Sequence, residues 1–179
     1  MLRRGAGPRH MDFSRQHRRV YICGELDNTV TVLRYNPAAV PAVLEGGYTA
    51  DSGEEGALLT ALQTVSTVPA GLDSRSTIAE MRLHPSGRFL YVGNRGHNSI
   101  AVFRVDPADG ALDLLDIHDS HGAFPRHFNF DRTSEFLIVG NHASDTIVAF
   151  RILENGRLVM VDKVEDIPSI VWVTPVCPA

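Results

Sequence analysis

Residues 78–106, IAEMRLHPSGRFLYVGNRGHNSIAVFRVD, carry a pattern that few folds can satisfy. An apolar run leads to a Pro-Ser-Gly turn, a second apolar run, a polar corner and a third apolar run. Imperfect copies stand on both sides. PRHMDFSRQHRRVYICGELDNTVTVLRYN begins at Pro8, and PRHFNFDRTSEFLIVGNHASDTIVAFRIL begins at Pro125. Aligned on the polar corners Glu25, Arg95 and His142, the copies lie 70 and 47 residues apart. Apolar positions within the runs follow period 2, β-branched residues are frequent, and Gly and Pro bound each run. Those are the marks of strands rather than helices.

A repeat of roughly 40–50 residues built from short strands is the signature of a propeller blade. The expected fold is therefore all-β, a partial β-propeller of about three to four four-stranded antiparallel blades. The copies fall near 5–40, 78–118 and 124–165, with ALDLLDIHDS and RLVMVDKVE as outer strands of the second and third. Residues 37–75 read as an irregular insertion, in which ALLTALQTVSTV suits a strand or a short helix. The interval is 23 residues longer than its counterpart, a length found in functional lids and in exposed excursions between blades. The tail DIPSIVWVTPVCPA is apolar and Pro-interrupted, with room for one further strand. Three blades do not close a ring, and an open one leaves unpaired edges. A piece of a longer protein is the expectation, with self-association through open propeller edges as the alternative.

Composition narrows the partners. Seventeen basic against 21 acidic residues give a net charge of −4, so no global basic field points to nucleic acid or to an anionic membrane. No apolar run approaches the ~18–20 residues of a membrane span. The Arg-rich start resembles a mitochondrial presequence in composition, but PRHMDF aligns with PRHFNF and so belongs to a blade. Cys23 and Cys177 form neither a disulfide framework nor a metal pattern, which suits a reducing, cytoplasmic setting. There is no zinc spacing and no nucleophile elbow. Gly93-Asn94-Arg95-Gly96 lies between strands rather than before a helix, which rules out a dinucleotide loop. No cofactor or metal is expected.

Each copy opens with a hairpin, whose opposed residues keep a constant index sum. With Phe13 facing Tyr21, Arg9 stands opposite Glu25. With Leu83 facing Tyr91, Ala79 meets Arg95 and Glu80 meets Asn94. The third copy then pairs Arg126 with His142 and His127 with Asn141. In a propeller the first strand is innermost, so Arg9, His10, Glu25, Glu80, Arg95, Arg126, His127 and His142 are expected to converge at one rim of the channel. Guanidinium forks bind carboxylate or phosphate, and Glu or His can move a proton, so the cluster suits a small anionic ligand. Arg9 and Glu25 also fit a plain cross-strand ion pair, worth little when exposed. Asn28, Asn98 and Asp145 recur at one corner and read as turn residues.

GAGPRHMDF with YICGELDNTVTV, AEMRLHPSGRFLYVGNRGHNSIAVFRVD, and FPRHFNFD with LIVGNHASDTIVAFRI together resemble the lactonase seven-bladed propeller family. That family includes cycloisomerase-type 6-phosphogluconolactonases and carboxy-cis,cis-muconate lactonising enzymes, and this chain resembles its C-terminal half. The resemblance implies that Arg9, Glu25 and Arg95 are catalytic. His10, Glu80, Arg126, His127 and His142 are expected to bind substrate. The family's further active-site His would come from an upstream blade. The implied activity is hydrolysis of a sugar-acid lactone such as 6-phosphogluconolactone. Arg95 and Arg126 would anchor the anion, Arg9 would stabilise charge on the carbonyl oxygen, and Glu25 would be the general base. The alternatives are a muconate cycloisomerase-type lactonisation and a non-catalytic binding scaffold.

Overall fold

Each repeat folds as its alternation requires. The computed structural model describes residues 2–40, 57–72 and 75–176. Twelve strands among them form three four-stranded antiparallel sheets, and in each sheet the spatial order follows the chain. The first sheet holds β1 (Pro8–Ser14), β2 (Arg19–Gly24), β3 (Thr29–Tyr35) and β4 (Leu59–Ser66). The second holds β5 (Thr77–Leu83), β6 (Phe89–Arg95), β7 (Ser99–Val105) and β8 (Leu112–Asp119). The third holds β9 (Pro125–Phe130), β10 (Phe136–Asn141), β11 (Thr146–Ile152) and β12 (Leu158–Val164). The inner strands β1, β5 and β9 lie side by side.

The interval 37–75 is less irregular than its composition suggests. Leu59–Ser66 is the outer strand of the first sheet, paired with β3 from Tyr35↔Leu59 to Thr29↔Ser66. The alternation in LTALQTVS suits that edge, and a helix there would leave the β3 backbone unpaired. Residues 41–56 and 73–74 of the interval lie outside the described residues. The tail 165–176 carries no strand, but Ile170 and Val173 bury themselves against the third sheet.

The hairpin registers differ from the constant sums in two ways, and both repeat. Phe13 pairs with Val20, not Tyr21, and Leu83 pairs with Leu90, not Tyr91. The register then shifts once more toward the polar end, between Pro8 and Met11, between Ile78 and Met81, and at Gly140/Asn141. Each shift is a β-bulge in the inner strand. The doublets Arg9-His10, Ala79-Glu80 and Arg126-His127 oppose the small residues Cys23, Gly93 and Gly140. Asn94 therefore pairs with Ile78 rather than Glu80, and Asn141 with Pro125 rather than His127. A bulge bends the strand and re-aims its side chains, and bulges recur beside active sites.

Glycine at 93 and 140 has a packing reason. A Cβ on Gly93 would press on the Phe128 ring at 3.3 Å, and one on Gly140 would meet Ile170 Cγ2 at 2.5 Å and Val173 Cγ2 at 3.0 Å. Whatever lies next around the arc approaches the backbone closely there.

The second sheet is packed on both faces, so all seven residues of β6 are buried. One apolar cluster joins Tyr21, Val30 and Val32 to Leu90, Val92 and Phe103. The other joins Tyr91, Ile100 and Val102 to Phe128, Leu137 and Phe150. Hydroxyl ties reinforce these seams: Tyr21 donates to the Gly110 carbonyl at 2.9 Å, and Tyr91 donates to Gly156 at 2.8 Å. Burial pushes the Tyr21 phenol up to about 12 and raises Tyr91 as well. Ile138 fills the equivalent place in the third sheet and has no such donor.

The corner residues serve the turns. Asn28, Asn98 and Asp145 all have left-handed backbone, with φ of 54°, 58° and 52°. The Asn28 amide donates to Ser76, Asn98 Oδ1 accepts from Gly96 and Phe124, and Asp145 Oδ1 accepts from Ser169. Asn and Asp tolerate this conformation while bonding nearby backbone.

Candidate functional site

The three bulges and three polar corners meet at one end of the inner strands. Glu25 continues past the end of β2, and its backbone N–H bonds to Gly7, so Arg9 is not its strand partner. The two side chains still meet, with Arg9 Nε 3.5 Å from Glu25 Oε2. Arg95, at the end of β6, reaches across from the second sheet and donates through Nη2 to Glu25 Oε1. The same Nη2 donates to the Ile78 carbonyl at 2.9 Å. Phe124 covers Arg95, its ring centroid 5.1 Å from Cζ. Both oxygens of Glu25 thus face guanidinium groups; Arg9 and Glu25 stay open to solvent, while the Arg95 side chain is buried. The Arg9 and Glu25 side chains are 24% and 31% exposed.

A second cluster lies one layer deeper. Glu80, the bulge residue of β5, is nearly sealed, with its side chain 3% exposed. Its Oε1 sits 2.8 Å from His10 Nδ1 and accepts the Met81 backbone N–H at 3.2 Å. Its Oε2 is 3.1 Å from His127 Nε2, within ion-pair reach but off the line of an aligned hydrogen bond. Arg82 Nε lies 3.7 Å from Glu80 and donates to the Phe128 carbonyl. Trp172, from the tail, stacks on His127 at 3.9 Å between ring centroids.

Fixed donors settle the tautomers. The Val173 backbone N–H donates to His127 Nδ1 at 3.0 Å, so the ring proton of neutral His127 is on Nε2, facing Glu80. The 3.4 Å approach of Arg82 Nη2 to that same nitrogen therefore cannot be a second accepted bond. Arg9 Nη1, a donor only, lies 3.0 Å from His10 Nε2, so His10 accepts there and carries its proton on Nδ1, also facing Glu80. With protons on both nitrogens that face the carboxylate, the trio is not a metal site. Among the described residues no group of three or more His, Cys, Asp or Glu could hold a metal ion. Burial lowers the His127 pKa, opposed by Glu80 and aided by Arg82, His10 and Arg9. Burial likewise raises the pKa of the Cys23 thiol, which accepts the His10 backbone N–H.

Arg9 joins the two clusters, since its Nη1 also donates to the Ala79 carbonyl at 2.6 Å. Six of the eight residues singled out from sequence thus form one network: Arg9, His10, Glu25, Glu80, Arg95 and His127. Arg126 is half-buried at the third bulge and makes no ion pair or side-chain hydrogen bond among the described residues. His142 turns away from the network, donating from Nδ1 to the Ile170 carbonyl at 3.2 Å. Its backbone N–H pairs with Phe124, not Arg126, because of the bulge. Arg82, Phe124 and Trp172 were not foreseen. Trp172 is the chain's single tryptophan, set in an apolar tail that no copy of the repeat matches.

A model of the family described as "Lactonase, 7-bladed beta-propeller" matches residues 1–175. A 6-phosphogluconolactonase of Bacillus subtilis is 36% identical over 174 residues, which are 97% of this chain and 44% of that protein. Among solved structures, a protein from Lactobacillus plantarum superposes with a TM-score of 0.80 at 34% identity, covering 94% of this chain and 45% of its own. A periplasmic gluconolactonase of Pseudomonas aeruginosa superposes with a TM-score of 0.77 at 31% identity, covering 94% and 42%. The chain spans less than half the length of these relatives.

Proposed function

The chain belongs to the seven-bladed β-propeller lactonase family, and from that premise we propose that it serves the hydrolysis of a sugar-acid lactone such as 6-phosphogluconolactone. The observation that carries the reading is the pair of guanidinium groups, Arg9 and Arg95, converging on one solvent-facing carboxylate at the rim. Glu25 holds the two forks in position. Arg9 Nη2 and Arg95 Nη1, whose N–H groups have no protein acceptor among the described residues, are the donors for a lactone carbonyl that gains negative charge on attack by water. Fixed donors at such a point stabilise the oxyanion without reorganising. Arg126, half-buried and without a counter-ion among the described residues, is the anchor for the phosphate or carboxylate end. The 6-phosphogluconolactonase and gluconolactonase names among the relatives support the same substrate class.

Neighbouring chemistry suits the cytoplasm, where the buried thiol of Cys23 stays reduced. Among the described residues no helix is long and apolar enough to cross a membrane. The test is initial-rate hydrolysis of 6-phosphogluconolactone and of gluconolactone, corrected for spontaneous opening. The reading expects turnover of both and a lower KM for the phosphorylated lactone, an advantage that Arg126→Leu removes. Equal KM values in wild type and variant would sink the anchor assignment. Rates no higher than the background would sink the lactonase reading.

A further inference from the structure

Glu25 is poorly placed to take a proton, because each of its oxygens faces a guanidinium group. The residue beside it is better placed. His10 is one-third exposed, its Nδ1–H is held by a buried carboxylate, and its Nε2 carries a lone pair directed toward Arg9. Two neighbours and the strand's own bulge enforce this arrangement. Glu80 can only accept, Arg9 can only donate, and the β1 bulge sets both ring nitrogens at hydrogen-bond distance, 2.8 Å and 3.0 Å. His127 presents its own Nε2–H to the other oxygen of Glu80, and Trp172 stacks over that imidazole.

We propose that His10 is the proton acceptor for the water that opens the lactone, with Glu80 and His127 as positioning residues that fix its tautomer. The proposal rests on the lactonase reading above. When a substrate oxygen takes the Arg9 Nη1–H, the His10 Nε2 lone pair is released beside the same guanidinium. The water oxygen then bonds to the carbonyl carbon while one water proton passes to Nε2. The carbonyl π electrons move to oxygen, under Arg9 and Arg95. On collapse the C=O bond reforms, the ring C–O bond breaks with its electron pair on the ring oxygen, and that oxygen takes the proton back from Nε2. Lactone and water become the hydroxy acid, and the imidazole is regenerated. In the interval the imidazolium donates to Glu80, whose charge offsets it, the role a buried carboxylate plays behind a base imidazole. The groups facing His10 are Arg9 on its own strand, Glu80 on β5 and the Cys23 thiol on β2, with Arg82 and His127 beyond Glu80.

Two readouts on the 179-residue chain decide the matter. Long-range ¹H–¹⁵N spectra report the tautomer without any turnover. Wild type should show His10 protonated at Nδ1 only, Glu80→Gln should mix the two forms, and Glu80→Asp should restore the wild-type form in part. A His10 protonated at Nε2 in wild type would overturn the proposal. In gluconolactone hydrolysis, His10→Gln should lower kcat by roughly 10²–10⁴-fold with little change in KM, the span usual for a lost general base. An unchanged kcat in His10→Gln alongside a collapse in Arg95→Met would refute the base and spare the lactonase reading. Rates at background in wild type would instead refute the lactonase reading, and the spectra would still judge the tautomer.

Discussion

The two clusters that meet at Arg9 share residue types but differ in burial, and the difference separates their duties. In the rim cluster, Arg9 and Glu25 remain open to solvent on one side, Arg95 is buried behind them, and only the two guanidinium groups hold the carboxylate. Such a pair can exchange its carboxylate for a ligand's anion at little cost. In the deeper cluster, Glu80 and His127 are sealed, and backbone donors from Met81 and Val173 hold them. A buried charge held this way cannot change partners without a large penalty. The rim is suited to receive a substrate. The deeper cluster is suited to hold one imidazole in one protonation pattern.

The sharpest way to break the comparison is to remove a rim guanidinium. Arg95→Met leaves Glu25 with Arg9 alone and should reduce kcat for lactone hydrolysis by about 10²–10³-fold, the usual loss for one oxyanion donor. A rate within a few-fold of wild type would mean that the rim does not touch the reacting carbonyl.

The paired carboxylates invert that expectation in stability. Glu80→Gln puts an amide donor against imidazole N–H groups and should cost about 2 kcal/mol in urea unfolding, the scale of a buried unsatisfied polar group. Glu25→Gln, in the open cluster, should cost no more than ~1 kcal/mol, as exposed ion pairs do. Equal costs would erase the distinction between the two clusters.

Acid should weaken the deeper cluster specifically. His127 has its pKa lowered in the folded chain, by burial first, from an ordinary 6.5. Below that pH the unfolded imidazole binds a proton that the folded one refuses, so stability is complete above pH 6.5 and falls as pH drops toward the folded pKa. His118, also lowered by burial, contributes a slope of the same sign. Unfolding measured between pH 5 and pH 8 should therefore show a shallower loss in His127→Gln, and a shallower one still once His118 is replaced too. A slope unchanged by both substitutions would contradict the assignment.

The smallest effect concerns the frame. Tyr91→Phe deletes the hydroxyl tie to Gly156 and should cost about 1 kcal/mol, the net value of one hydrogen bond. Ile138→Tyr in the third sheet should not mimic a gain of that size, because no equivalent carbonyl lies opposite it among the described residues.

The sequence was most informative where long side chains forgive small errors. Arg9, Glu25 and Arg95 meet although the hairpin registers differ from the constant index sum, because a guanidinium spans a slip of one or two residues. The strands themselves were legible in the alternation, as were the turn roles of Asn28, Asn98 and Asp145. The bulges were not, since an extra backbone residue leaves no mark in residue type. They explain why Asn94 faces Ile78 and why His142 faces Phe124. Arg82 lies outside the polar positions that the repeat aligned, and Phe124 stands one residue ahead of its copy. The strand at Leu59–Ser66 was obscured because the stretch before it is rich in Gly, Pro and acids.

A titration with 6-phosphogluconate, the product of the proposed hydrolysis, tests the rim as an anion site most directly, since it requires no turnover. Followed by ¹⁵N resonances of the guanidinium and imidazole groups, it should perturb Arg9, Arg95 and His10 together, weaken as salt is raised, and leave His118 unmoved. Saturable shifts elsewhere on the chain with Arg9 and Arg95 unaffected would contradict the account.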